Sequence, residues 1–268
     1  MHSRPAFTLI ELLVAIAILA LLLSLSMTTL SSASDRAAAL DCTFRLRALS
    51  VAAQLYAEDH TGHLPGSSHR PFVVTGIGAD VTYTPVAPWH AALPVYLDVR
   101  ISDRSPALAI DRTDIDLPTA TMTDLFSIEL VSIRERYRCP FQDRGNQPAS
   151  PDALGYAMNV YFWLDGSDEA SWLDSRALTR LANLPRPHAT VVFGEHAGGA
   201  DHIMAHWWRA GLRSPTAELA HDRHGRTAGA AFLDGHARDV PLDATWQPGP
   251  DMPAAPPVLD RWNPLTAR

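Results

Sequence analysis

Histidine is concentrated late in this chain, at His196, His202, His206, His221, His224 and His236. Imidazole titrates near neutral pH and is the commonest side-chain ligand for transition metals, so such a concentration raises both acid–base and metal chemistry. His202 and His206 are four positions apart, a spacing that sets two ligands on one face of a helix, as zinc sites do. "HIMAH" nevertheless has Ile203 where a His-Glu-x-x-His protease motif requires glutamate. Nine residues separate His224 from Asp234, and Gly235 follows directly. Two readings of His224 stay open. One is a hydrogen bond that fastens the loop before a hairpin, for instance to a backbone carbonyl. The other is a metal or assembly site shared with Asp234 or the neighbouring histidines. The chain has two cysteines, Cys42 and Cys139. One bridge between them, in a domain outside the cytoplasmic membrane, and two free or buried thiols are both open readings. There is no nucleophile elbow, no pair of acids at a clear helical spacing and no Cys–His arrangement that points to catalysis. The expectation is a protein that is not an enzyme, with no cofactor and no assigned metal.

One more residue stands out by its surroundings. In "PAFTLIELLVAIAILALLLSLSM" the acid Glu11 interrupts an otherwise apolar run. Phe7 to Met27 is long enough, at about 1.5 Å per residue, to span a hydrocarbon layer of about 30 Å. A cleaved secretory signal has a shorter apolar region, and Ser24, Ser26 and Ala33 make a weak cleavage site. A plain anchor leaves Glu11 unexplained, because an unpaired acid facing lipid costs a few kcal/mol. A third reading supplies a positive partner, such as the free α-amino group of a neighbouring subunit.

"AFTLIELLVAIAILALLLS" closely resembles the class III signal of type IV pilins and pseudopilins. The resemblance implies that a prepilin peptidase cuts between Ala6 and Phe7 and methylates the new N-terminal Phe7. It implies that Glu11, fifth in the mature chain, pairs with the amine of an adjacent subunit. The leader, Met1–Ala6, carries His2 and Arg4, as a cytoplasmic N-terminus expects. One departure is Ala6, where the family usually has glycine; a small residue still fits, with slower processing.

These residues need elements to hold them. Apolar positions Leu30, Ala33, Ala37, Leu40, Phe44, Ala48, Val51 and Leu55 recur at steps of three and four, and a second line, Leu46, Leu49, Ala53 and Tyr56, widens the stripe. The pattern predicts one helix to about Asp59, before the "HTGHLPG" turn signals, with Ser31, Ser32, Ser34 and Asp35 as a place to bend. "LDCTFRLRALSVAAQLYAEDHTGHLP", "RCPFQD" and "GYAMNVYF" resemble stretches of one pseudopilin-like group. "PFVVTGIGADVTYTPV" reads as strands broken by Gly and Pro, "PWHAALPVYL" as one short helix, and "TATMTDLFSIELVSIRERYRCP" as containing another. "SDEASWLDSRALTRL" reads as the helix of an insert, and "HATVVFGE" as a buried strand entering a loop. In "HGRTAGAAFLDGHARDVPL", Asp234-Gly235 predicts a two-residue hairpin with Leu233 opposite His236 and Phe232 opposite Ala237. The spacing resembles the His-x9-Asp-Gly element of prepilin-type processing-associated proteins, here His224, Asp234 and Gly235. The tail, "WQPGPDMPAAPPVLDRWNPLTAR", is Pro-rich and predicted extended or loosely packed.

Composition completes the reading. The chain is 47% hydrophobic and 19% charged, enough apolar content for a sizeable core after the first thirty residues. Its net charge of −7 and the lack of any basic run argue against a nucleic-acid partner. All 22 basic residues are arginine, which we read as genome composition. The expected fold is α+β, with a long N-terminal helix, transmembrane in its first half, packed on a small antiparallel β-sheet. The expected divisions are a leader at 1–6, a helix at 7–59 with its membrane part at 7–27, a globular domain with an insert at 60–245 and a tail at 246–268. By resemblance the chain is a structural subunit of a type II secretion or type IV pilus-like filament. Its partners would be prepilin peptidase, other pilin-like subunits and the membrane. It would cross the cytoplasmic (inner) membrane once, N-terminus cytoplasmic and C-terminal domain periplasmic or extracellular. The alternative is a membrane-anchored ectodomain that binds a metal or a partner and uses the signal only for export.

Overall fold

The computed structural model describes residues 8–67, 72–75, 82–85, 88–97, 137–142, 153–163, 178–209, 211–250, 252 and 257–267. The leader with Ala6 and Phe7, most of the stretch 119–140 in which a helix is expected, and most of the insert helix expected at 167–181 lie outside them. The chain divides into two compact units, Met1–Leu40 and Asp41–Arg268. Helix α1, Leu9–Asp59, supplies the first unit and the opening element of the second, and its backbone stays helical through Ser31 to Asp35.

In the first unit, Leu9–Ser26 is long and apolar enough to cross a membrane, and none of it is buried within the protein. The hydroxyls of Ser24 and Ser26 donate back to the carbonyls of Leu21 and Leu22, each at 2.8 Å. That satisfies polar groups which an apolar surrounding could not.

The second unit is α+β. After α1 come a two-stranded hairpin, β1 (Phe72–Thr75) with β2 (Thr82–Pro85), and helix α2 (Trp89–Ala92). The "PWHAALPVYL" helix is therefore shorter than expected, and Pro94 begins a separate 3-10 turn to Leu97 because proline breaks the helical ladder. Next follow β3 (Tyr156–Asn159), β4 (Val191–Glu195), β5 (His202–Ile203), α3 (Ala205–Arg209), α4 (Pro215–Glu218), β6 (Ala228–Phe232), β7 (Ala237–Val240), β8 (Trp246–Gln247) and β9 (Leu259–Asp260).

The central sheet runs β5-β3-β4-β6-β7. Its β3–β4, β4–β6 and β6–β7 pairs are antiparallel, but the edge strand β5 runs parallel to β3. The sheet is thus mixed, a small departure from the antiparallel one expected. Side chains alternate across the strands except at a bulge in β4, where the adjacent Val192 and Phe193 share a face. On one face Tyr156, Met158, Val192, Phe193, Ala231 and Leu233 pack with Cys42, Leu46, Leu49, Ala52, Ala53 and Tyr56 of α1. On the other face Ala157, Val191, Ala230 and Phe232 pack with Ile203, Trp208 and Trp262.

The Asp-Gly hairpin forms with a register one residue from that expected. Ala231 lies opposite Ala237, and Phe232 donates its N–H to the carbonyl of His236 at 2.9 Å. A two-residue type I′ turn needs positive φ at both Asp234 and Gly235, and only Gly235 has it, at +90°. Gly235 N–H bonds back to Phe232 at 3.0 Å, so the loop has three residues, Leu233 to Gly235, and the one-residue shift follows. The shift matters: Leu233 becomes a core residue, 3% exposed, instead of a strand partner of His236. Helix α1 reads the turn directly. Ser50 Oγ donates to Phe232 O at 2.5 Å, and Gln54 Nε2 donates to Leu233 O.

The tail is not loosely packed over 257–267. Strand β9 pairs with β8, Val191 N–H donates to Arg261 O at 2.8 Å, and Asn159 Nδ2 bridges Val191 O at 2.8 Å and Trp262 O at 2.5 Å. Trp262 is 1% exposed. A local proline count does not register that Leu259, Asp260 and Trp262 flank it with groups that dock. We expect Trp262→Ala to cost about 3–5 kcal/mol, the usual range for truncating a buried large aromatic side chain. Denaturant unfolding of the detergent-solubilised chain checks this, and a cost below about 1 kcal/mol would show the segment to be peripheral.

Candidate functional site

Helix α1 starts with a reciprocal cap. Thr8 N–H and Thr8 Oγ1 both donate to Glu11 Oε2, at 2.9 and 2.8 Å, while Glu11 N–H donates to Thr8 Oγ1 at 3.3 Å. This is a capping box, with Thr8 closing the helix and Glu11 three residues on. Glu11 is thereby oriented at the very start of the apolar helix, fully exposed to whatever surrounds it. The Thr-x-x-Glu spacing makes Thr8 legible in the sequence, but reasoning from charge alone passes over it.

The second site is buried. His224 Nε2 donates to Glu195 Oε1 at 2.8 Å and lies 3.6 Å from Cys139 Sγ. Cys42 completes the group: the ligand atoms of Cys42, Cys139, Glu195 and His224 all lie within 4.8 Å of one another. Glu195 is 0% exposed, and the His224 side chain 1%. Each member comes from a different element. Cys42 sits on α1, Cys139 in the turn at 137–142, Glu195 at the end of β4, and His224 in the loop before β6. The other carboxylate oxygen, Oε2, accepts the N–H of Gly229 at 3.0 Å. Gly229 is required for a spatial reason: a methyl group there would lie 2.5 Å from Leu46 Cδ1. A side chain there would press on Leu46, which packs α1 against β6 on the same helix as Cys42.

The His224 loop is held under strain. Arg226 has φ of +80°, a conformation that costs a non-glycine residue on the order of 1 kcal/mol. Thr227 Oγ1 ties the loop by donating to His224 O at 2.8 Å. The ring of Phe141 packs edge-on against the imidazole, centroids 4.7 Å apart. Among the described residues, His224 Nδ1 is buried with no hydrogen-bond partner.

The electrostatics follow from burial and mutual contact. Burial alone would raise Glu195, but the His224 hydrogen bond and charge, with the Gly229 N–H, outweigh it and hold the carboxyl below its usual range. Burial alone would lower His224, but its contacts with Cys139 and Glu195 reverse that and lift it to about 10. Cys139 is pushed far up by the neighbouring Cys42 thiol and by burial. In this form the cluster is an ion pair beside two thiols.

The structure separates other residues that the sequence grouped together. Asp234 does not reach His224; its Oδ1 accepts from His236 Nδ1 at 2.5 Å on the exposed hairpin tip. His202 lies on strand β5 and bonds Asp201 at 2.7 Å, whereas His206 lies on α3, so the pair shares no helical face. His224 fastens its loop, but to a carboxylate and not to the backbone carbonyl offered as an example. Cys42 and Cys139 are neighbouring free thiols. Glu195 is the member that sequence reading did not assign. Its only local signal is an acid closing the apolar run "VVFG".

Residues 1–27 match the family model for the prokaryotic N-terminal methylation motif. No curated protein and no solved structure matches the chain. The motif, the apolar helix and the α+β unit together support a pilin-like protein of the prepilin type, held by an N-terminal membrane anchor.

His196 adjoins this site and generates a pH prediction. Its Nδ1 accepts the N–H groups of Gly198 and Ala200 at 3.0 and 3.2 Å, which needs an unprotonated nitrogen. Burial, then the charges of His202 and Arg223, lower it to about 4. Its contribution to stability is present above about pH 6.5, the ordinary value, and is lost as pH falls through 6.5 towards 4. The loss should be on the order of 3 kcal/mol. Unfolding measured at pH 7 and pH 4 should show His196→Asn losing less on acidification than the parent chain.

Proposed function

We propose that this chain is a structural, non-enzymatic pilin-like subunit. Prepilin peptidase cuts it between Ala6 and Phe7 and methylates Phe7, and Glu11 then receives the N-terminal amine of an adjacent subunit. The product is a type II secretion pseudopilus or a type IV pilus-like filament. The methylation motif at 1–27 supports this reading, and a cut between Ala6 and Phe7 would fall just before the helix that Thr8 and Glu11 cap. The N-terminus is cytoplasmic in this reading, and the α+β unit lies outside the inner membrane. The His224-x9-Asp234-Gly235 element belongs to the same resemblance.

A second observation supports assembly. Phe44, Val51 and Leu55 of α1 are 63, 39 and 41% exposed within the second unit. They form a line of apolar side chains on the helix face turned away from the sheet, and large exposed apolar groups in series mark contact surfaces.

The mass of the mature N-terminus tests the first step. Co-expression with a prepilin peptidase should yield a chain beginning at N-methylated Phe7. An intact Met1, or cleavage beyond residue 24, would refute it. Glu11→Gln tests the second step: processing should persist, while cross-linked multimers in membranes fall at least tenfold. Unchanged multimers would leave the chain a monomeric anchor.

A further inference from the structure

We propose that Cys42, Cys139, Glu195 and His224 form a closed, four-coordinate zinc site that fastens helix α1 to the sheet. The inference goes beyond the filament reading and does not depend on it.

The donor set is the first argument. Two thiols, one imidazole and one carboxylate are the ligand types that zinc combines, and the soft sulfurs disfavour calcium and magnesium. The geometry is the second. Zinc–sulfur bonds of about 2.3 Å and zinc–nitrogen bonds of about 2.0–2.1 Å at a tetrahedral angle set S and N about 3.5–3.6 Å apart. Cys139 Sγ and His224 Nε2 are 3.6 Å apart. The carboxylate oxygen, now 2.8 Å from Nε2 in a hydrogen bond, has to draw back by about half an ångström to reach a tetrahedral edge. Gly229 N–H on Oε2 holds the carboxylate with Oε1 facing the other three donors, as outer-shell partners orient metal ligands.

Burial is the third argument. Cys42 is 0% exposed and Cys139 2%, so four protein donors converge with no position left for water or substrate. A closed site of this kind is structural, not catalytic. Four converging donors also explain why one imidazole nitrogen faces both a carboxylate oxygen and a sulfur. Binding displaces the two thiol hydrogens and the Nε2 hydrogen of His224 to solvent and forms four metal–ligand bonds, and no electron is transferred. The remaining ring hydrogen stays on Nδ1.

The competing chemistry is a Cys42–Cys139 disulfide, so the experiment must separate metal from oxidation. The full chain, purified in detergent from zinc-supplemented cells, is assayed for metal content and, after denaturation, for free thiols. One zinc per chain with both thiols free is expected. Cys139→Ser and Glu195→Gln should each reduce zinc at least tenfold, with circular dichroism reporting whether each variant folds. Should a variant misfold, cobalt exchange into the parent chain is decisive: thiolate-to-cobalt charge-transfer bands and a tetrahedral d–d spectrum are expected. Two outcomes overturn the proposal. One is a metal-free chain whose mass is lower by two hydrogens, which assigns a disulfide. The other is free thiols with neither zinc nor a tetrahedral cobalt spectrum.

Discussion

Glu195 keeps a negative charge with no exposed surface, and the second unit is organised around that fact. An isolated buried carboxylate would cost far more than a small domain can spare, so it persists only with a charge partner and hydrogen bonds on both oxygens. His224 takes one oxygen and the Gly229 N–H the other. Each requirement reaches further into the fold. His224 arrives only because its loop accepts a left-handed Arg226, and Gly229 is reached only because β4 and β6 are neighbours in the sheet.

The same constraint explains the small residues of β6. "AGAAF" has almost no bulk on the face turned to α1, and that lets Leu46 pass within contact distance of the strand backbone. The helix then bonds the hairpin carbonyls through Ser50 and Gln54, and Cys42 comes beside Cys139. Helix, sheet and hairpin are therefore positioned by one set of contacts and not by independent ones. On the opposite face the aromatic cluster of Trp208 and Trp262 performs the matching task, with ring centroids 5.4 Å apart, and it draws the C-terminal segment into the core.

Two kinds of surface on α1 serve different ends. The line from Cys42 through Leu46 and Leu49 to Tyr56 is consumed within the domain, whereas Phe44, Val51 and Leu55 stay outside it. A helix so divided holds its own domain with one face and leaves an apolar line exposed on the other. The proposed zinc site stands on the inner face of α1, where a crosslink from the helix to three separate segments resists local opening.

The sequence by itself determined the parts whose physics is local. Helix α1 and its end at Asp59 follow from periodicity and turn residues, the membrane-length apolar span from length and apolarity, and the methylation motif from residues 1–27. The strand ending at Glu195 and the presence of the Asp-Gly hairpin were equally legible. The tertiary structure decided which of the two apolar lines on α1 is buried, because periodicity shows a stripe but not its partner. It set the hairpin register, since the choice between a two- and a three-residue loop depends on where Leu233 can bury. It docked the Pro-rich tail through Asn159, a residue about a hundred positions away. Above all it brought Cys42, Cys139, Glu195 and His224 together. No spacing encodes that group, because its members come from four elements that meet only when the helix lies on the sheet.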